Sequence, residues 1–305
     1  MWYNSIVDNR QSEKNLIVGT IITLLGASLW GLCAVVGKYL MVKGLDTVWM
    51  VNFRMLSAGL IMLAYAAIRN PHHFCDIWKD RKSVGRLLLI AIFGFGICQV
   101  TYFLAIEYCN AGIATALQQT APVFVLIFVI IKEHRKPTFT ELAALLLVII
   151  GSFMMATGGN FGSLHIPVLA LVFGFASAIT CTLYIMLPGK LIKKYGNFET
   201  IGWGLTLGGL MLAPISKLWI VSGTWDAGTW LGIAFIVLLG AVAAFGLYLY
   251  GTTKVGAVRA SIYGLIEPVV ATFASLVFLG QNFTAGDYIG IASVLLGIGI
   301  LAAKK

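Results

Sequence analysis

The sequence predicts an all-α integral membrane protein: ten transmembrane helices arranged as two inverted five-helix repeats. Three observations predict it: ten apolar runs of crossing length, basic residues gathered in alternate breaks, and a self-match at a shift of 146 residues. The runs occupy 16–40, 47–68, 87–106, 111–131, 138–157, 164–187, 198–221, 228–250, 255–279 and 284–303. About 20 consecutive apolar residues are what a helix needs to cross the hydrocarbon core.

Composition excludes the main alternatives. The chain is 59% hydrophobic and 11% charged, with a mean hydropathy of +0.92. A soluble fold would have too little polar surface to cover ten such segments. Barrel strands are short and alternate polar with apolar, which these runs do not.

The net charge of +9 describes topology, not a nucleic-acid partner. With the amino terminus in the cytoplasm, 17 of the 21 Lys and Arg fall on cytoplasmic breaks, clustered as Arg69 to Arg86, Lys132 to Lys136, and Lys190 to Lys194, with the rest near the termini and at Lys254 and Arg259. The opposite side holds Lys38, Lys43 and Lys217, and Arg54 lies inside the second run. This positive-inside split predicts a multi-pass membrane protein with both termini cytoplasmic. The first fifteen residues include Asp8 and Glu13 and precede a run too long for a signal h-region, so no cleaved leader is expected. Cys33, Cys98 and Cys181 lie within runs, Cys75 on the cytoplasmic side and Cys109 alone outside, which suits packing rather than disulfides or metal.

The repeat emerges from the shift. Gly94 meets Gly240, Tyr102 meets Tyr248, and Pro122-Val123 meets Pro268-Val269, without a gap over three spans. Repeats of five spans must enter the membrane from opposite faces, which places units at 1–157 and 158–305. The turn Lys132 to Lys136 is charged and its counterpart, 278–282, is not, as opposite sides require. Inverted repeats permit alternating access.

Ser28-Leu29-Trp30-Gly31, Arg54 with Leu56-Ser57-Ala58, Ala111 and Ala114 before Pro122, Ala257 and Ala260 before Glu267-Pro268-Val269, and Gly290 with Gly297 occur in that order. The set resembles the EamA branch of the drug/metabolite transporter superfamily over essentially the whole chain. The usual Gly-Glu after the fourth and ninth spans reads Lys132-Glu133 and Gly280-Gln281 here. The resemblance implies a carrier of the bacterial inner cell membrane that exports small metabolites, often amino acids or toxic analogues, from the cytoplasm through a central cavity. A multidrug exporter of organic cations is the alternative within transport, and a passive channel the alternative outside it.

Polar groups within hydrocarbon are costly and face a cavity or a partner. Arg259, Tyr263 and Glu267 are spaced by four in the ninth span, and Pro268 is expected to leave the Gly264 carbonyl without its donor. Glu267 is a candidate for a substrate amine or a proton, or alternatively a satisfied carboxylate holding a kink. Arg259 suits snorkelling at the cytoplasmic end. Gln118 and Gln119 precede Pro122 at the corresponding place and suit either an amide-binding or an interhelical role. Trp30, Tyr102, Tyr184, Trp203 and Tyr248, with Gln99 one turn before Tyr102, offer aromatic faces for cations or aromatic amino acids. Trp49, Trp219, Trp225 and Trp230 read as interfacial anchors. Gly204/Gly208 and Gly286/Gly290 read as close-packing pairs. His72, His73 and Cys75 lack a complete zinc set. No catalytic triad, metal site or cofactor motif appears, and one chain holds both halves of a pathway. The expected partners are a small-molecule substrate and the lipid bilayer, with a working monomer.

Overall fold

The computed structural model describes residues 2–108, 111–160, 167–279 and 284–303. The expected start of the sixth span at 164, the break at 280–283, Cys109, Lys304 and Lys305 lie outside them. Among the described residues the chain is helical without strands. Seven helices are long and apolar enough to cross a bilayer unaided, and Phe139–Met155 and Ala285–Ile300 are shorter apolar pieces. The ninth span is broken in two, Ala257–Tyr263 and Ile266–Leu279. Outward-facing side chains such as Leu60, Leu146, Val172 and Leu231 are apolar and exposed, as lipid contact demands.

Boundaries moved where caps override hydropathy. The first helix, Trp2–Val42, starts well before the apolar run. The third span begins at Arg81, capped by Asp80, and runs through Arg81–Leu89, Ile90–Ile97 and Cys98–Tyr108. The eighth begins at Ala227, capped by Asp226, and runs through Ala227–Val237, Leu238–Ala243 and Ala244–Val255. An acidic N-cap satisfies donors the first turn leaves free, so the helix starts there and not at the first apolar residue. The seventh span, Asn197–Ser216, stops short of 221 because Lys217 turns left-handed at φ 46°.

Repeat-related elements keep step. The pairs starting at Arg81 and Ala227, and at Ala111 and Ala257, begin 146 residues apart, and Phe139–Thr157 and Ala285–Ala303 match at both ends. Both third spans contain a π-helical stretch, Ile90–Ile97 and Leu238–Ala243. Both fourth spans are interrupted at matching places, between Gln118 and Ala121 and between Tyr263 and Ile266.

The fifth and tenth spans pack tightly on one another and show the inversion directly. A Cβ on Gly151 would stand 2.6 Å from the Gly290 carbonyl, and one on Gly297 would stand 2.9 Å from the Ala144 carbonyl. Ser293 Oγ donates to the carbonyl of Leu147, its own repeat mate, at 2.7 Å. Residue numbers rise along one helix as they fall along the other, so mates meet antiparallel across a pseudo-twofold axis. The second and seventh spans repeat the arrangement: Gly59 faces Thr206, and Gly209 faces Leu56. Small residues let these backbones approach, which in lipid is the main source of helix association.

The opening helices cross over. The first span packs on the eighth and ninth, and the sixth on the third and fourth. Each half thus supplies one helix to the wall of the other, and the broken fourth and ninth spans are held at the seam.

Candidate central site

Glu267 occupies the first turn of Ile266–Leu279, directly after the break at Gly264 and Leu265. A half-helix N-terminus presents free N–H groups and the positive end of the peptide dipole, a place that tolerates an acid. The Gly264 carbonyl is not orphaned, contrary to the expectation from Pro268. It accepts from Glu267 N at 3.1 Å in a tightened turn. The same break ends the continuous face expected of Arg259, Tyr263 and Glu267, and Tyr263 is buried, at 1% exposure. Arg259 sits in the short basic-end piece Ala257–Tyr263.

The glutamate lies at the middle of the bundle. It is felt electrostatically by Cys33 of the first span, Arg54 of the second, Tyr102 of the third, Cys181 of the sixth and Tyr248 of the eighth, and the Gln119 amide of the fourth lies beside it. Gly31 makes this possible. A Cβ there would stand 2.5 Å from the Glu267 carbonyl oxygen and 3.0 Å from Ala271 N. The glycine of Trp30-Gly31 therefore seats the first span against the start of the half-helix, while Trp30 turns to the aromatic side.

Arg54 is the group that sequence reasoning passed over. Its Nε is buried without a hydrogen-bond partner, and its charge reaches Glu267 without closing a contact ion pair. Both residues retain partial exposure. A guanidinium inside hydrocarbon with an unused donor is costly, and such groups mark solute paths. The available signal was that Arg54 alone among the basic residues belonged to neither face.

An aromatic wall stands beside the pair. The Trp30 ring lies 4.8 Å from Tyr248, 5.0 Å from Phe245 and 6.4 Å from Tyr184, and Phe95 stacks on Tyr184 at 5.9 Å. Phe95 and Phe245 join them, Phe95 from the π-helical stretch of the third span and Phe245 from the α-helix just after that of the eighth. Tyr248 is 1% exposed and donates to the Ala260 carbonyl at 2.9 Å, bracing the break in the ninth span. Its mate Tyr102 is partly exposed and pairs with Thr115 Oγ1 at 2.7 Å, just before the break in the fourth.

The remaining candidates divide. Gln118 donates to Ser177 Oγ at 2.6 Å and ties the fourth span to the sixth, whereas Gln119 stays beside Glu267. Pro122 and Pro268 open the two half-helices. Gln99 is partly exposed and Tyr184 belongs to the wall. Trp203 lies away from it, against Phe74 and Trp78 at the basic face. Trp49 is 5% exposed and donates to the Leu218 carbonyl at 3.1 Å, a packing role instead of an interfacial one; Trp219 and Trp230 are exposed.

Matching ion pairs close the seam at both ends. At the basic face Lys194 of the second half donates to Asp80 of the first at 2.7 Å; at the opposite face Lys43 of the first half meets Asp226 of the second. The acids are repeat mates and cap the third and eighth spans. Asp80 also accepts from Ser83 Oγ at 2.8 Å, and Asp226 from Thr229 Oγ1 at 3.0 Å, where Ser83 and Thr229 are mates in turn. The lysine contacts hold both carboxyls below the usual range, Asp226 at about 2. Both latches are closed together.

Residues 17–157 and 168–303 each match the profile of the EamA-like transporter family. The chain belongs to that family. Among EamA relatives, it is 33% identical over 285 residues to the "Uncharacterized inner membrane transporter YicL" of Salmonella typhimurium, covering 92% of this chain and 93% of that protein. It is 26% identical to an "Uncharacterized transporter" of Archaeoglobus fulgidus, covering 93% and 99%, and 23% identical to "Uncharacterized transporter YcbK" of Bacillus subtilis, covering 98% and 97%. A solved crystal structure superimposes with a TM-score of 0.73 at 15% identity, over 93% of this chain and 96% of the other. The EamA chain is thus a multi-pass membrane transporter with the fold of two repeats.

Proposed function

We propose that this EamA protein is an alternating-access carrier that exports small zwitterionic metabolites, amino acids or close relatives, from a bacterial cytoplasm. The observation that carries the reading is the buried, unpartnered Nε of Arg54 on a side chain within electrostatic reach of Glu267 at the bundle centre. A zwitterion satisfies both: its carboxylate takes the guanidinium as a charge-assisted bond, and its ammonium takes the glutamate. The half-helix at Ala121 carries no acid, so the first half presents positive character and the second half the carboxylate. Broken helices beside such a pair are the usual way transporters handle charged substrates near the midplane. Trp30 and Tyr184 supply an apolar face for the side chain.

Arg54 weighs against the organic-cation reading, because a ligand with positive charge alone leaves its donor unused. The inverted frame with a latch at each end supports alternation over a permanent pore: opening one face requires breaking one ion pair while its mate holds. The basic face is cytoplasmic on this reading, as the charge split supports, and a single chain suffices.

Counterflow of radiolabelled amino acids in proteoliposomes tests it. Glu267→Gln and Arg54→Gln should each lower exchange about a hundredfold, ~2.7 kcal/mol, the size of one lost charge-assisted bond. The folded yield should not change. Full activity in either variant removes that residue from the mechanism, and flux without saturation or counterflow identifies a channel.

A further inference from the structure

We propose that the cleft beneath the Asp80–Lys194 latch is a second ligand site, one that takes a small organic ammonium ion. The cleft holds about 420 Å³ and lies between the loop after the second span and the start of the seventh, so it straddles the two halves. It is lined by three acids, Asp76, Asp80 and Glu199, with His73, Lys79 and Lys194 among them.

The charges do not cancel evenly. Lys79 Nζ and His73 Nδ1 both engage Asp76, each at 2.7 Å, and Lys194 engages Asp80 at 2.7 Å. Both lysines in the cleft are thereby spent on the two aspartates. Glu199 is left over: it is 4% exposed, lines the cleft, and its Oε1 has no hydrogen-bond partner. A buried carboxylate oxygen without a donor is a standing cost that a bound cation removes.

The surroundings choose the kind of cation. Trp203 stands one helical turn beyond Glu199, within an aromatic group with Trp78 at 5.1 Å and Phe74 at 5.5 Å. A carboxylate oxygen in want of a donor suits an ammonium, which brings N–H groups, and the aromatic group one turn along the helix suits a cation that carries a ring of its own. A hard metal ion wants six or more oxygens, and the described residues hold no metal-competent group of His, Cys, Asp and Glu. The site's chemistry is independent of what the central pair carries. Its position at the latch means that an occupant bears on the opening of the basic face.

The test is equilibrium binding of radiolabelled phenethylamine to the purified full chain, in a Glu267→Gln background that removes the central carboxylate. Saturable binding to one site per chain is expected. Adding Glu199→Gln should weaken it at least tenfold, and Trp203→Leu should weaken it severalfold while leaving Glu199 in place. Absence of saturable binding overturns the proposal, as does binding that Glu199→Gln leaves within twofold. Retention of radiolabelled sodium in the amine's place overturns it as well.

Discussion

The two halves share a frame and differ in charge. Shifted by 146 residues, the N-caps, π-helical stretches, tyrosines, helix breaks and latch acids of one half fall on those of the other. The charged residues of the central site do not. Glu267 corresponds to Ala121, and Arg54, by the contacts that pair the second span with the seventh, corresponds to Gly204. A symmetric frame lets the two faces exchange shapes, because each half can adopt the other's conformation at similar free energy. On the proposed reading, an asymmetric charge pair gives the solute one orientation within that frame.

The sharpest way to break this comparison lies where each opening helix meets the half-helix of the other repeat. In one copy Gly31 allows the first span to sit against the Glu267 carbonyl; in the other Thr182 of the sixth span points its hydroxyl toward the Ala121 carbonyl at 3.5 Å and donates to Ala178 O at 2.9 Å. Gly31→Ala forces a methyl into backbone and should cost ~2–3 kcal/mol, with loss of transport. Thr182→Val removes one hydrogen bond and should cost ~1 kcal/mol or less, since its carbonyl partners keep other donors. Thermal unfolding of the detergent-solubilised variants reads both. Equal, mild losses would mean the two crossings are alike and that the glycine serves no special approach.

Next in size are the paired tyrosines. Tyr248→Phe deprives the buried Ala260 carbonyl of a donor beside the break and should lower stability by ~1–2 kcal/mol while leaving substrate KM unchanged. Tyr102→Phe should do the reverse, with little loss of stability and a several-fold higher KM, because that hydroxyl is partly exposed and lies near Arg54 and Glu267. Thermal unfolding together with concentration-dependent counterflow separates the two outcomes. The same effect from both would place them in one role.

Much of this frame was legible beforehand, for physical reasons that also explain what was not. Hydrocarbon thickness imposes a length on every span, so ten runs could be counted, and the fourth and ninth declared themselves through Pro122 and Pro268. Glycines and prolines at the 146-residue shift carry backbone geometry, so they outlast the loss of other identities. Arg54 carries no weight in a face-by-face charge pattern, because a residue inside a span belongs to neither face. The π-helical stretches escaped because a change in hydrogen-bond register needs no special residue, although Gly94 and Gly240 stand within them. Tyr248 was read like its mate, since a repeat predicts equivalent positions and says nothing about which copy is packed shut. Asp80 with Ser83 and Asp226 with Thr229 were readable as repeated caps, but the lysines that meet them lie in the loosely matching part of the repeat.

Those latches give the smallest expected effect, and its sign follows from titration. The Asp226 carboxyl falls from 3.8 to about 2, so its contribution is complete above 3.8 and is lost as pH falls through about 2. The Lys43 and Lys194 ammonium groups rise above 10.5, so theirs is complete below 10.5 and disappears only at more alkaline pH. Both latches are therefore constant from about pH 5 to about pH 9. Exposed ion pairs contribute little to stability, which suits bonds that the proposed carrier breaks in each cycle. Lys43→Met should make a cysteine placed at Gln99 more reactive to an impermeant reagent from the face opposite the basic one, and Lys194→Met more reactive from the basic face. Each shift should be less than tenfold and should leave the pH profile of counterflow unaltered over that range. Shifts toward the same face would end the equivalence of the two latches. A changed profile would mean that the ion pairs share protons with a group elsewhere in the seam.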